Sequence, residues 1–393
     1  MSRMVSEMNI LVVGVPFSRN LGDGVIFDNL RYLYKKHSRF SRVIPLDLAG
    51  RETFESSDRP ASNRVALFSK LPGFTRKIAV AGFILASFLG RWRGSWKAKV
   101  VAADVIVIGG GQLFLDESLN FPLKLYLFSL LLKHNPAANR YIAFVGVAPS
   151  LSRIGRFLFR AALDNIRPQS VTLRDPESRT RFADLISKCY PLAVAADPAL
   201  FSAECYGVPS RSRTQVERVG LCIADPRGLD VEGRLGEDFH TGLAEYFARL
   251  ARALHDAGYQ VVLFTNGALE DEALKGEIHR NLALPGVQCL ERPLTPGTLV
   301  GNIATFDLLV AHRLHANIIA LALGVPSIGL RWDAKVESFF RMSGRSEAFL
   351  DDLVPTVPAT LARLEAIAGA ATPYAAEVLA ARVSGTVAAQ VQR

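Results

Sequence analysis

A chain of 393 residues, of which 49% are hydrophobic and 21% charged, can bury sizeable cores, which excludes wholesale disorder. Its length favours two domains of roughly 150–200 residues each. The formal net charge of +9 suits anionic partners such as phosphorylated substrates, anionic lipid or nucleic acid, and does not choose among them.

The apolar runs and the cysteines indicate in which cellular compartment the protein lies. No apolar run reaches the roughly 18 residues of a membrane span, and the first one, MNILVVGV, is too short for a signal peptide. The four cysteines form no C-x-x-C pair, which predicts buried free thiols. Together these features predict a cytoplasmic protein.

Short apolar runs alternate with helix-length segments along almost the whole chain. In the first half, candidate strands lie at 8–15, 42–48, 104–110, 141–148 and 170–175. After Pro209 the pattern restarts, with candidate strands at 218–224, 259–266, 286–291, 307–312 and 326–330. Continuous Val, Ile and Leu runs between helices are typical of parallel sheets covered on both faces. The pattern predicts an α/β protein with two doubly wound, Rossmann-like domains that face each other across a cleft.

The domain boundaries follow from composition. Residues 210–217, SRSRTQVE, are polar and lack apolar periodicity, so they are the predicted linker. It joins an N-terminal domain at 1–209 to a C-terminal domain at 218–372. The Ala-rich residues 373–393 predict a C-terminal helix that can pack back on the N-terminal domain.

The segment 78–90, IAVAGFILASFLG, allows two interpretations. Thirteen residues suit either a buried helix or a helix lying in a membrane interface. Basic and tryptophan residues, which anchor interfacial helices at the headgroups, flank it on both sides. These flanking residues are Arg76, Lys77, Arg91, Trp92, Arg93, Trp96 and Lys97.

In parallel sheets, ligands bind beyond the carboxyl ends of the strands. After the first strand comes a loop with Asn20 and Asp23, which can bind hydroxyl groups of a ligand in the cleft. Asp23 alone is equally explained as a helix N-cap. After the third strand come glycines, including Gly110 and Gly111, which allow a ligand to approach the backbone closely. Their spacing is neither G-x-G-x-x-G nor a P-loop, so they are weak evidence for a nucleotide.

Two further strand ends carry cations. After the fifth strand, Asp175 and Pro176 are expected to begin a helix, which leaves Arg174 free to bind a carboxylate or phosphate or to pair with Asp175. In VAHRLHANIIALALGVPSIGL, a strand passes into a helix whose first turn contains His312, Arg313 and His315. Unpaired backbone N–H groups and the positive end of the helix dipole favour anions there. An imidazole beside a bound anion is also suited to acid catalysis.

These residues carry a resemblance to a known family. The segments NLGD, VIGGGQLFLD, LRDPES, ADPAL and AHRLHANIIALALGVPSIGL, followed by WDAKV, resemble those of polysaccharide pyruvyl transferases, in the same order across about residues 8–340. The resemblance implies two Rossmann-like halves of the GT-B type, with the acceptor on the N-terminal domain and the donor on the C-terminal domain. It also implies transfer of a pyruvyl group from phosphoenolpyruvate to sugar hydroxyls of an exopolysaccharide or cell-surface glycan precursor. The product would be a pyruvate ketal, and phosphate would be released.

The resemblance assigns roles to some residues. His315 would be the general acid that protonates the methylene carbon of the donor. Arg313, Leu314 and Arg174 would contact the donor, whose phosphate or carboxylate Arg174 would bind. His312 and Lys335 are further cleft candidates without an assigned role, and His312 is equally explained as a hydrogen-bond partner of the backbone. We expect no obligatory metal, since no DxD or His/Cys metal cluster is evident.

Two other functions remain open at this stage. A GT-B glycosyltransferase using a nucleotide sugar would commonly have a Gly-Gly…Glu element after the G-x-P strand, where this chain has GLRWDAKVESFF. A non-catalytic glycan-binding protein could retain the same fold. We expect no nucleic-acid partner, because no recognised binding module is present. If the acceptor is a lipid-linked oligosaccharide, residues 78–90 would dock the enzyme on the inner face of the cell membrane.

Overall fold

The computed structural model describes residues 8–38, 41–54, 73–186, 188–209, 215–225, 237–368 and 374–391. These residues form two six-stranded sheets. The strands of the N-terminal sheet are β1 (Met8–Gly14), β2 (Ser41–Asp47), β3 (Val105–Phe114), β4 (Asn139–Val147), β5 (Ser170–Leu173) and β6 (Leu192–Val194). They are all parallel, in the order β2-β1-β3-β4-β5-β6.

The C-terminal sheet is also entirely parallel, in the order β12-β11-β10-β7-β8-β9. Its strands are β7 (Arg218–Cys222), β8 (Gln260–Phe264), β9 (Gln288–Cys289), β10 (Leu308–Ala311), β11 (Ser327–Leu330) and β12 (Phe349–Leu350). All ten strands expected from the sequence are present, which confirms the doubly wound α/β fold. The edge strands β6 and β12 were not predicted.

Helices cover both faces of each sheet. In the N-terminal half they are α1 (Gly22–His37), α2 (Gly73–Ser87), α3 (Arg93–Val101), α4 (Asn120–Ser129), α5 (Arg153–Ile166), α6 (Pro176–Leu185) and α7 (Ser202–Tyr206). Beyond β7 they are α8 (Glu237–Asp256), α9 (Leu269–Leu282), α10 (Pro296–Ala304), α11 (Leu314–Ala322), α12 (Ala334–Met342), α13 (Val357–Ile367) and α14 (Tyr374–Val391). Among the described residues, none of these helices combines the length and the hydropathy that crossing a bilayer requires.

Helix α14 lies against α1 of the N-terminal half. The Tyr34 hydroxyl donates a hydrogen bond to Oε1 of Gln390, and His37 Nε2 lies 2.8 Å from Ser384 Oγ. Both Tyr34 and Val387 are fully buried in this contact. Of the predicted linker, residues 210–214 lie outside the described residues, and the domain boundaries themselves stay a prediction.

The segment around 78–90 forms two helices joined by a π-helical turn at Phe88–Trp92. Trp92 and Trp96 stack with ring centroids 5.4 Å apart and are 5% and 3% exposed. Of the two interpretations of this segment, the structure thus places both tryptophan rings in the core, as in the buried helix. All four cysteines are free thiols, but only Cys222 is buried: Cys205 and Cys289 are half-buried and Cys189 is exposed.

Candidate active site

The two sheets present their topological switch points to each other. In the N-terminal sheet the strand order reverses between β1 and β3, and in the C-terminal sheet it reverses between β7 and β10. Chain crossovers leave to opposite faces at such a point and open a crevice beyond the strand ends. The loop after β1 also meets the loop after β8, beside the second switch point, where the backbone N–H of Leu21 donates to the carbonyl oxygen of Asn266 at 2.9 Å.

His315 lies in this crevice, in the first turn of α11. Its ring lies on the backbone of Gly22 at the start of α1, where a Cβ atom would come within 2.2 Å of Nδ1. Only glycine fits there, so α1 can approach the imidazole closely. On the other side of the ring, Nε2 lies 3.6 Å from Asp197 Oδ2, and neither atom has a hydrogen-bond partner among the described residues.

Two carboxylates of the N-terminal half therefore lie beside His315. Asp197 is held in place because its Oδ1 accepts a hydrogen bond from the backbone N–H of Ala199 at 2.9 Å. Burial raises the pKa of Asp23 above its ordinary value, although the nearby His315 opposes that shift. An imidazole between two such carboxylates can pass a proton to a substrate and receive another.

Arg174 is a buried cation with hydrogen-bonding capacity to spare. Its guanidinium lies on Gly146, where a Cβ atom would meet Nε and Nη2 at 2.6 Å. Nε is 3.5 Å from Asp175 Oδ2, but Asp175 already accepts bonds from the backbone N–H and the hydroxyl of Ser178. Within the described parts of the chain, Nε and Nη2 of Arg174 have no hydrogen-bond acceptor. Two unused donors on one guanidinium are suited to binding a carboxylate or phosphate.

Arg313 is placed differently. Its Nε and Nη2 donate to the two carboxylate oxygens of Asp271 at 2.9 and 2.6 Å, and its guanidinium lies over the ring of Trp332. Burial lowers the pKa of the Arg313 guanidinium, but the Asp271 carboxylate raises it by more, so the pKa lies above its ordinary value. Contact with the donor stays a prediction for Arg313, with only the remaining N–H groups available for it.

His312 points away from the crevice. Its Nε2 lies 3.1 Å from the carbonyl oxygen of Leu353, and its ring lies between Phe247 and Trp332. Burial lowers the pKa of His312 to about 4, so the ring is neutral at physiological pH. The structure thus places His312 in a backbone hydrogen bond, which was one of the two interpretations of the sequence.

Lys335 lines the same pocket as Arg174, Leu314 and Asp197. Its Nζ lies 2.5 Å from Asp333 Oδ2, and burial lowers the pKa of the amine although Asp333 opposes that shift. Glu117, from the loop after β3, faces Lys335 across the crevice. Burial raises the pKa of the Glu117 carboxyl, and Lys335 counteracts part of this effect.

The remaining candidates shape the loops around α1. Gly110 and Gly111 lie inside β3, which runs four residues further than predicted, and have φ angles of 77° and 100°. A Cβ atom on Gly110 would come within 2.7 Å of Ile26, so packing against α1 already explains that glycine. Gly111 faces Asp23, with its Cβ position 3.1 Å from Oδ1. Asn20 accepts a bond from the N–H of Gly22 through Oδ1 at 3.4 Å and so shapes the loop before α1.

Comparison with protein families decides where the chain belongs. The family model of polysaccharide pyruvyl transferases matches residues 20–334, a range that includes Arg174, Arg313 and His315 and ends one residue before Lys335. The chain belongs to the polysaccharide pyruvyl transferase family. No curated protein matches the sequence significantly.

Solved structures with the same fold are nucleotide-sugar enzymes. A putative UDP-N-acetylglucosamine 2-epimerase from Listeria monocytogenes has a TM-score of 0.57 at 10% identity, with 99% of each chain covered. The epimerase from Rickettsia bellii has a TM-score of 0.54 at 8% identity, covering 98% of this chain and 96% of its own. The S. aureus MnaA–UDP complex has a TM-score of 0.52 at 8% identity, with 97% of each chain covered. At such identities the likeness shows the GT-B-like fold alone.

For a pyruvyl transferase family member, the residues missed by the sequence reasoning are mostly acidic. Asp197, Asp271, Asp333 and Glu117 hold or face the predicted cations. Asp197 could have been found, since Asp197-Pro198 repeats the Asp-Pro pattern that identified Asp175 as a helix cap. No group of three or more His, Cys, Asp or Glu side chains in the described ranges is arranged to hold a metal ion. The expectation that no metal is obligatory stays a prediction.

Proposed function

We propose that the protein transfers a pyruvyl group from phosphoenolpyruvate to two hydroxyls of a sugar in a cell-surface glycan precursor. One observation carries this proposal. The unpartnered Nε2 of His315, the unpartnered Oδ2 of Asp197 and the unpartnered donors of Arg174 all belong to residues lining one crevice between two parallel sheets. Buried polar atoms are normally satisfied, so three such groups together indicate a missing polar ligand.

The donor fits these groups chemically. Phosphoenolpyruvate is a small molecule with a phosphate and a carboxylate, and both match the planar fork of a guanidinium. Arg174 supplies two free donors, and Lys335 adds a second cation on the same pocket wall. The first-turn N–H groups of α11 face the same crevice and favour anions. The cationic groups thus bind the donor while His315 approaches its methylene carbon.

The reaction balances with the groups present. His315 gives a proton to the methylene carbon, which becomes a methyl group and leaves an oxocarbenium-like centre on the adjacent carbon. A first sugar hydroxyl bonds to that carbon. The bond from carbon to the phosphate oxygen then breaks, and a second hydroxyl bonds in its place to close the ketal. One hydroxyl proton returns to His315 through the neighbouring carboxylates, and the other leaves with phosphate.

The test is phosphate release from phosphoenolpyruvate with a panel of sugar acceptors. We expect acceptor-dependent release, and a loss of kcat of at least about 100-fold in His315→Ala, the usual size of a general-acid contribution. Donor binding measured by calorimetry should survive in this variant, because the arginine and lysine remain. His134→Ala, at an exposed histidine outside the crevice, is the matched control.

Three results would separate the alternatives. Release that is unchanged in His315→Ala would keep the donor and remove His315 as the acid. Binding of UDP or GDP in place of phosphoenolpyruvate would identify a nucleotide-sugar transferase instead. Glycan binding without any donor binding would identify a non-catalytic member of the family.

A further inference from the structure

The outer side of helix α2 exposes an apolar stripe. Ile78 and Leu85 on α2, and Leu89 in the π-helical turn that continues it, are 58%, 42% and 68% exposed. Their spacing of seven and four residues places them on one line along the helix. The opposite side is equally apolar, since Ile84 and Phe88 are buried in the core of the N-terminal domain. A helix at a domain surface normally has a polar outer face, so this stripe requires an explanation.

The neighbouring helices extend the stripe. Helix α2 packs against α4, and α4 packs against α5, on the same side of the N-terminal sheet. On α5, Ile154 and Phe157 are 55% and 69% exposed and lie one turn apart. The structure exposes nine large hydrophobic side chains among the described residues, and eight of them belong to this layer. We call this layer, the exposed sides of 78–101, Leu130 and 153–160, the outer face.

The outer face is also strongly basic. Residues 73–103 contain six lysines and arginines and no acidic residue, in a chain whose net charge is +9. Exposed Arg91, Arg93 and Lys97 follow the apolar stripe of α2. Exposed Arg153 and Arg156 are interleaved with the apolar residues of α5. Apolar side chains among arginines and lysines are the composition of surfaces that lie on anionic membranes.

We propose that the outer face docks on a bilayer of anionic phospholipid. The apolar side chains enter the boundary between headgroups and acyl chains, and the flanking arginines and lysines contact the phosphates. A symmetric dimer through this face would bring two strongly basic surfaces together, which repels. An anionic lipid surface complements both the charge and the hydrophobicity.

The docked surface reaches the edge that carries the active site. Arg91 and Trp92 line a cavity of about 180 Å³ together with Asp47 and Arg51, at the carboxyl end of β2. That is the sheet edge at which Asp23 and His315 lie. A protein resting on its outer face thus holds its crevice close to the lipid headgroups, where a membrane-anchored acceptor would be. The docking does not depend on the proposed chemistry and can be tested without it.

The test is flotation of the full chain with vesicles of neutral phosphatidylcholine, alone or with phosphatidylglycerol. We expect binding only to the anionic vesicles, and weaker binding at high salt. Leu85→Ser/Leu89→Ser and Arg91→Glu/Arg93→Glu should each lower the bound fraction at least tenfold. Arg249→Glu/Arg280→Glu makes the same change of charge at exposed positions of the C-terminal domain and should bind as the wild type.

Several outcomes would overturn the proposal. Equal binding of the Arg91→Glu/Arg93→Glu and Arg249→Glu/Arg280→Glu variants would show that vesicle binding depends only on the net charge of the protein and not on the outer face. If the protein did not bind anionic vesicles, its oligomeric state would be measured by light scattering. A wild-type dimer that becomes a monomer in Leu85→Ser/Leu89→Ser would show that the outer face is a self-association surface. Unchanged thermal unfolding shows that the variants are folded, so their flotation can be compared directly.

Discussion

Asp271→Asn tests what the buried ion pair with Arg313 contributes. Asp271 is fully buried, and its two oxygens accept bonds from Nε and Nη2 of Arg313 and from the backbone N–H of Asp225 at 2.8 Å. The amide keeps the shape but removes the negative charge and turns an –NH₂ group toward the guanidinium. Leaving a buried charge uncompensated costs about 3–5 kcal/mol. We expect the free energy of unfolding to fall by that amount.

The assay is urea denaturation at pH 7, followed by tryptophan fluorescence. The loss should be the same at low and high salt, because a buried pair is screened little. Asp351→Asn is the matched control: Asp351 pairs with Arg331 at the same distance of 2.6 Å, but the two side chains are 69% and 48% exposed. That change should cost less than about 1 kcal/mol. Equal losses in the two variants would refute the view that burial makes Arg313 a structural residue.

Two further predictions concern a buried cation and a buried neutral histidine. On the proposed function, phosphoenolpyruvate raises the melting temperature of the wild type, and Arg174→Met should abolish this rise because it removes the two unused donors; persistence of the rise in the variant would exclude Arg174 from the donor site. His312 has a pKa of about 4 when folded and an ordinary value when unfolded, so the unfolded chain binds the extra proton and stability falls as pH drops below about 6.5. His312→Phe should lose about 2–3 kcal/mol less than the wild type between pH 7 and pH 4.5 in urea denaturation, and parallel losses would show that another group titrates.

The strands and the place of the site could be predicted from sequence because both follow from local patterns. Val, Ile and Leu runs identify buried parallel strands, and the residues just after them must lie at one sheet edge. This reasoning located Asp23, Arg174 and His315, which the structure brings to one crevice. It could not find the partner of Arg313, because Asp271 is 42 residues away in sequence and only the fold brings the two together.

The direction of side chains was harder to predict than the position of elements. The tryptophans at 92 and 96 suit a membrane interface and a core equally well, and only the π turn before α3 decides that they face inward. In the same way, His312, Arg313 and His315 were all predicted in the first turn of a helix, but α11 begins at Leu314, so His312 lies before it and Arg313 is its N-cap. His312 faces Phe247 and His315 faces Gly22. Periodicity gives the face of a helix only when one side is polar, and in α11 only His315 and Asn317 interrupt the apolar residues.

The return of α14 to α1 also limits how the two halves can move. The chain passes between them twice, once between α7 and β7 and once between α13 and α14. Two halves joined by two connections rotate most easily about the line through those connections. If the two halves open, we therefore expect one preferred axis, along which Gly22 would part from His315 and return to it.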